Sequence, residues 1–425
     1  MNHTNTIKKD IFTIRLPRRI FILGIVYVFY FFVFFSYIQI LPIPTDTQPY
    51  ALLISIFIFL VVKNKKMPIE IALLFSPFLF SILLLFISEF NFTSIRSISN
   101  YASLFFISFA TYNILRIQKG FSGSFLKKVI YIWFIVGFIQ TFFYSDFLVS
   151  LLSRGLGTAG SGGRGVLGLS PEPTFYGITC IFLLLLTYFH FDINKNKLLI
   201  VLLIIQILIF AKSSMAALFL VVFATYYVLI YFFNLKKLFV FSVIICGFAI
   251  SYKLLTFFDL FSFEQTRMYK LVILFIESPS LIILEDAGSY DRFFHILYSF
   301  SGFFQNYFLP HGFTLSVEDK NSILPQYGEN ISWSSEGARI MSAYGATLFE
   351  LGFVGLLIPL FLNLSLYKFY KNDFKKFLLF SLFLNTILLT AIPLALPIIG
   401  FLIGYLLYYA NLNKKEAIKR MQQNN

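Results

Sequence analysis

Few residues in this chain can carry chemistry, and most of them fall in two stretches. The first, 151–173, reads LLSRGLGTAGSGGRGVLGLSPEP. Its glycines let backbone N–H groups come close to a ligand. Its two arginines, Arg154 and Arg164, offer rigid guanidinium forks that hold phosphate or carboxylate through paired hydrogen bonds. That combination suits a bulky anionic substrate; the plain alternative is a solvated, flexible loop. The stretch ends on Ser170-Pro171-Glu172-Pro173-Thr174. Prolines on both sides stiffen the backbone around Glu172, and Pro173 suits the first position of a helix. A carboxylate there is favoured by the helix dipole and serves as a general base or as a simple cap. Lys212 lies in Ala211-Lys212-Ser213-Ser214, a short turn between two apolar runs. It either meets an anion or snorkels to lipid headgroups.

The second stretch holds Ser289-Tyr290-Asp291-Arg292-Phe293-Phe294-His295-Ile296-Leu297-Tyr298, then His311-Gly312, Trp333, Glu336-Gly337 and Arg339. Arg292 and His295 are three apart, so a helix puts them on one face. The aromatic remainder suits a helix lying on a bilayer surface. His311 is a second candidate for a general base, although a lone loop histidine is more often ordinary polar surface. Tyr176, Tyr298 and Trp333 have the right shape to stack on sugar rings, with core packing as the competing role. No cluster of metal ligands and no phosphate-cradling Walker loop is present, so neither a metal nor another cofactor is expected. Cys180 and Cys246 sit in apolar runs and read as small hydrophobes.

The elements that must position these groups are set by composition. Of the 425 residues, 58% are hydrophobic and 13% charged, against about 25% charged in an ordinary soluble domain. That charge cannot cover a water-facing surface. A soluble globular enzyme, a disordered chain and a nucleic-acid-binding protein are therefore excluded, despite a net charge of +14. Apolar runs at 20–41, 69–88, 98–117, 129–150, 174–191, 213–233, 238–258, 345–367, 377–392 and 394–411 predict membrane spans, with shorter ones at 48–62 and 198–211. The fold class expected is an all-α polytopic membrane protein of about 12 transmembrane helices, residues 1–425 forming one integral membrane domain.

The charges orient it. Basic residues favour the cytoplasmic side of short loops. With the N-terminus inside and twelve spans, inner segments hold 24 of the 34 basic residues and 5 of the 20 acidic ones. Both termini are then cytoplasmic. Two loops on the outer side are long, 151–173 and 259–344. The apolar stretch 271–284, broken at Glu277-Ser278-Pro279-Ser280, reads as an interfacial or re-entrant helical pair. The first 19 residues are basic and the next run is too long for the apolar part of a cleaved signal peptide. Ten basic residues fall elsewhere, and among them Arg154, Arg164, Lys212, Arg292 and Arg339 are cations that no topology signal explains.

In this order the motifs resemble the bacterial polysaccharide polymerase and O-antigen ligase superfamily. Gly163-Arg164-Gly165 through Glu172-Pro173-Thr174 looks like that family's Arg, Gly-Leu, Glu-Pro-Ser/Thr segment entering a span. Lys212-Ser213-Ser214 is similar to its short Ser/Arg/Lys turn. Arg292, leading an aromatic helix toward His311-Gly312, resembles its large-loop Arg-to-Gly stretch. Glu350-Leu351-Gly352-Phe353-Val354-Gly355 resembles its Glu-x-Gly-x-x-Gly segment after the large loop. The spacing of Arg154 and Gly165 also fits an Arg-x10-Gly pattern. Family ligases usually carry a His-Asn pair just before the Glu-x-Gly-x-x-Gly segment. Here that place reads Met341-Ser342-Ala343-Tyr344-Gly345, which favours a polymerase.

The resemblance implies a GT-C-like architecture in the bacterial inner (cytoplasmic) membrane, with both long loops periplasmic. It implies a glycosyltransferase that joins undecaprenyl-diphosphate-linked oligosaccharide units into O-antigen or capsular polysaccharide. The partners implied are those lipid-linked oligosaccharides, the lipid bilayer, a chain-length regulator and a flippase, and no nucleic acid. Arg164, Arg292 and Lys212, with Arg154 and Arg339 behind them, would hold the diphosphate as its charge grows. Glu172, or else His311, would take the acceptor's proton; Glu172 could equally orient Arg164 through an ion pair. The rival readings are an O-antigen ligase that transfers glycan to lipid A-core and a polysaccharide flippase or transporter. A transporter predicts charged residues at many span centres and pseudo-symmetric halves, and the sequence shows neither.

Overall fold

The computed structural model describes residues 23–41, 43, 45, 47–62, 65–86, 90–152, 165–232, 287–313, 322–323, 340–390 and 392–423. Every predicted span on these residues contains a helix, although the helix of 20–41 ends at Phe34. In chain order the helices are α1 (Leu23–Phe34), α2 (Tyr50–Val61), α3 (Ile69–Leu85), α4 (Phe92–Gln118), α5 (Gly123–Phe142), α6 (Pro173–His190) and α7 (Lys197–Ile205). Helix α7 continues as a π-helical turn over Gln206–Phe210. There follow α8 (Ser214–Tyr231), α9 (Ala287–Gln305), α10 (Ala343–Leu351), α11 (Leu357–Phe369), α12 (Phe374–Thr390) and α13 (Pro397–Gln423). Among the described residues, four segments are long and apolar enough to cross a membrane: α5, α6, α8 and the combined Ala343–Phe369. Helices α1, α2 and α3, the Lys197–Phe210 segment and Pro397–Leu412 are shorter apolar helices. This is a helical membrane protein. The predicted span 238–258 and the re-entrant pair 271–284 lie outside the described residues.

Two expectations change. The span predicted at 129–150 is a helix over Gly123–Phe142. Its start is fixed by Ser122, whose side chain accepts the Phe125 N–H. Its tail, Tyr144 to Leu152, leaves the helix through turns at Ser145-Asp146, with Leu148 at a left-handed φ of 60°. The span predicted at 345–367 is broken. Gly352, at φ 58°, ends α10, and a 3-10 turn over Gly352–Leu356 leads into α11.

Helix α4 is central; it packs on α2, α3 and α13. Gly400 and Gly404 let α13 approach it. A Cβ at Gly400 would lie 3.0 Å from Ile107 Cβ, and one at Gly404 would lie 2.5 Å from the Ser108 carbonyl. Small residues four apart allow this close packing between membrane helices. Ser108 donates to the Gly400 carbonyl at 3.0 Å.

Polar contacts gather helix ends into two groups. In one group, Glu70 of α3 pairs with Lys368 of α11, Asn113 accepts the Lys66 N–H, and His190 bonds Tyr405. In the other, the Gln39 N–H donates to the Leu151 carbonyl, Ser97 and Tyr101 donate to Glu350, and Ser342 donates to the Leu389 carbonyl. Each group joins ends that the charge alternation predicts to lie on one side.

The Glu70–Lys368 pair is asymmetric. The Glu70 side chain is 5% exposed and that of Lys368 46%. Losing Lys368 strands a buried carboxylate, whereas losing the charge of Glu70 leaves a cation that reaches water. Lys368→Met should therefore lower stability by about 1–2 kcal/mol, discounted for the exposed partner, and Glu70→Gln by less. Adding Glu70→Gln to Lys368→Met should restore most of the loss. Thermal unfolding in detergent checks this; an additive double variant would refute it.

Asp373 Oδ1 accepts the Lys376 N–H at 3.0 Å in the first turn of α12. That N–H, and then the Lys376 ammonium, hold the carboxyl below its ordinary range. A depressed carboxyl stabilises the fold above its unfolded value, and the benefit is lost as pH falls through the folded one. Asp373→Asn should lower the unfolding temperature at neutral pH, and the gap from the parent should close as the buffer is acidified. A constant gap would contradict the assignment.

Candidate functional site

The described end of the Gly/Arg loop does not run free. Residues 165–171 are non-helical and mostly buried, so their backbone groups need partners within the protein. Gln140, in the last turns of α5 and 3% exposed, supplies three. Its Oε1 accepts the Gly168 N–H at 2.7 Å. Its Nε2 donates to the Gly168 carbonyl at 2.9 Å and to the Phe147 carbonyl at 2.7 Å. Gly168 sits at φ 59°, and a Cβ there would press on the Tyr176 ring at 3.0 Å. The Ser170 hydroxyl donates to the carbonyls of Leu167 and Glu172 at 2.7 and 2.8 Å.

The loop's end abuts the lysine turn. The Val166 N–H donates to the Phe210 carbonyl at 2.9 Å, and a Cβ at Gly165 would collide with the Ala211 carbonyl. Only glycine fits here. A second buried glutamine stands behind the turn. Gln206 Oε1 accepts the Tyr176 hydroxyl at 3.1 Å, while its backbone carbonyl accepts the Ala211 N–H at 2.8 Å. A π-helical turn of this kind often marks functional positions. It delivers Lys212 at φ 44°, exposed between the buried Ala211 and Ser213. Ser213 caps α8 by accepting the Ala216 N–H.

Glu172 is the N-cap residue of α6, half-buried, and its side chain makes no capping bond. Among the described residues no ion pair engages it. Its lone pairs remain available to a ligand, which fits a base better than a cap. The structure thus joins the Glu172 segment to the Lys212 turn. Arg154, Arg164 and Arg339 lie outside the described residues.

Arg292 and His311 belong to a second assembly. Arg292 is half-buried on α9. That helix turns Phe294, His295 and Tyr298 inward, where Phe294 and Tyr298 cluster with Phe349 of α10. His295, three residues on in the same helix, is 1% exposed and accepts the Met341 N–H. The ring of His311 stacks on Phe349 at 4.3 Å, with its Nε2 2.9 Å from the Gly302 carbonyl. A carbonyl only accepts, so Nε2 carries the proton. Only Nδ1 is left for any work as a base, and the ring acts mainly as a clasp between α9 and α10. Tyr176 and Tyr298 are 0% exposed and pack the core instead of meeting a sugar. Trp333 lies outside the described residues.

Three polar residues had no place in the predicted site. Gln140 and Gln206 were signalled only as amides inside apolar runs. Glu350 stands in the last turn of α10, and its two oxygens accept Ser97 Oγ at 2.9 Å and Tyr101 Oη at 2.6 Å. It ties α4 to the helix that His311 stacks on. Among the described residues no group of His, Cys, Asp or Glu could hold a metal ion.

No protein-family model matches this chain, and no curated protein matches it.

Gln140→Leu keeps the volume but leaves one N–H and two carbonyls without partners, at about 1–3 kcal/mol for each buried group. Amide hydrogen exchange across 165–172 should then speed up by about tenfold or more, with α4 and α13 unchanged. Unaltered protection of that segment would show that Gln140 does not hold it.

Proposed function

We propose that this protein is a polysaccharide polymerase of the bacterial inner membrane. It joins undecaprenyl-diphosphate-linked oligosaccharide units on the outer face. In this reading the chain crosses the bilayer twelve times with both termini cytoplasmic, in a GT-C-like arrangement, and the loops 151–173 and 259–344 are periplasmic. What carries the reading is the junction of the Glu172 segment with the Lys212 turn. A half-buried carboxylate that no ion pair engages among the described residues and an exposed cation on a strained turn are fastened to one another through buried backbone.

The chemistry needs both. The acceptor is a sugar hydroxyl on one lipid-linked unit, and the donor is the anomeric carbon of a glycan on undecaprenyl diphosphate. The hydroxyl oxygen bonds to that carbon as its bond to the phosphate oxygen breaks. The diphosphate leaves with the electron pair, and the hydroxyl proton passes to Glu172. Negative charge grows on the diphosphate, so cations stabilise the transition state more than the bound substrate. Lys212, Arg164 and Arg292 serve there, with Arg154 and Arg339 as further contributors. Lysine acts as a point charge and arginine as a fork, so no metal is needed to neutralise the leaving group.

Deletion in the native host tests the reading. Mass spectrometry of surface and lipid-linked glycan should find single repeat units attached at the surface. Complete polymer accumulating unattached on its lipid carrier would mean a ligase, and units trapped on the cytoplasmic leaflet a flippase. Either result would overturn the proposal. Lys212→Ala at normal protein level should shorten the chains, with Lys212→Arg retaining more length.

A further inference from the structure

The turn after α9 is built in an unfavourable way. Tyr307 and Phe308 are consecutive non-glycine residues at φ 53° and 66°. Left-handed backbone is disfavoured for residues with a Cβ, and bulky ones there are uncommon. The turn is nonetheless tightly specified. The Tyr307, Phe308 and Leu309 N–H groups donate to the carbonyls of Phe304, Phe303 and Asn306. The Asn306 side chain reaches the carbonyls of Leu309 and Pro310 at 3.3 Å.

The Phe308 ring rests on Phe303 and Phe304 at 5.0 and 5.6 Å, yet the side chains presented at this cost stay largely outside the protein. Tyr307 is 83% exposed, Leu309 54% and Phe308 47%. Glycine or asparagine would make the same turn without strain, so the aromatic pair calls for a partner outside the chain.

The backbone shows which partner. The Phe353 N–H donates to the Phe308 carbonyl at 2.9 Å, and His311 N–H to the Phe349 carbonyl at 2.9 Å. These bonds dock the turn on the junction of α10 and the 3-10 turn that leads into α11, within the Ala343–Phe369 segment. Along that span, Phe353, Leu356 and Leu360 are 58%, 47% and 49% exposed. Their spacing of three and four residues makes one stripe, the stripe a membrane helix turns to lipid. Where α11 begins, the turn adds an aromatic cluster to the stripe, and aromatic residues gather where hydrocarbon meets headgroup.

We propose that residues 307–309 form a membrane-interface anchor that seats in the headgroup region of the bilayer beside α11. It fixes the height of the α9–α10 clasp at His311 relative to the lipid. The inference does not depend on the reaction catalysed.

The test places a polarity-sensitive nitrobenzoxadiazole label on Tyr307→Cys in proteoliposomes. Cys180 and Cys246, the two cysteines of the chain, are replaced by alanine. Leu309→Cys is a second probe position should the first variant fold poorly. The anchor predicts blue-shifted emission, quenching by phospholipids with a nitroxide near the headgroup, and little quenching by iodide. Emission as in water, quenched by iodide, would overturn it. So would blue-shifted emission that nitroxide lipids leave unquenched, which would put protein on this surface instead of lipid.

Discussion

A stretch of irregular backbone buried among membrane helices can exist only if its own N–H and C=O groups are satisfied inside the protein. Residues 165–171 are such a stretch, and the candidate site depends on how they are paired. The Gln140 side chain works as a fragment of strand, accepting and donating at Gly168 and reaching across to Phe147. The Phe210 carbonyl takes the Val166 N–H. Ser170 closes the last turn before Pro173. Without these partners Glu172 would not stand at a defined place above α6, nor would the loop touch the turn that carries Lys212.

The scaffold behind this junction is held by close approach. Glycines admit the neighbouring backbone at Gly165 and Gly404, and a ring at Gly168. Trp133 stacks on Tyr176 at 5.5 Å, and the Tyr176 hydroxyl reaches Gln206, so α5, α6 and α7 share one buried polar thread. On the other side, Glu350 links α4 to α10 through two hydroxyls. His311 clasps α9 to α10 through a stacked ring and a carbonyl. Lys212 belongs to the first of these assemblies and Arg292 to the second. In the proposed mechanism a diphosphate that engages both cations draws the two together.

Much of the fold is legible in the sequence because lipid enforces a simple rule. A span must be apolar and about 20 residues long, and short basic loops stay inside. Helices stand where the apolar runs predict them on the described residues. The end of α5 is not legible this way, since the apolar Phe147 to Val149 follows the Ser145-Asp146 break and hydropathy alone runs across it. Polar detail is harder still. Glu172 and Lys212 stand out as charges where none is needed. Gln140 does not, because a glutamine within a helix gives no sign that its amide serves a loop 28 residues away. His311 looks like a base in sequence, and only the Gly302 carbonyl and the Phe349 ring reveal its other work.

The account predicts an enzyme sufficient for chain growth, with the lipid diphosphate as leaving group. The direct measurement is reconstitution of the full chain in liposomes with purified undecaprenyl-diphosphate-linked repeat units and no other protein. A ladder of longer lipid-linked glycans is expected, with one undecaprenyl diphosphate released per bond formed. Repeat units that stay monomeric in the presence of folded, correctly inserted protein would contradict it.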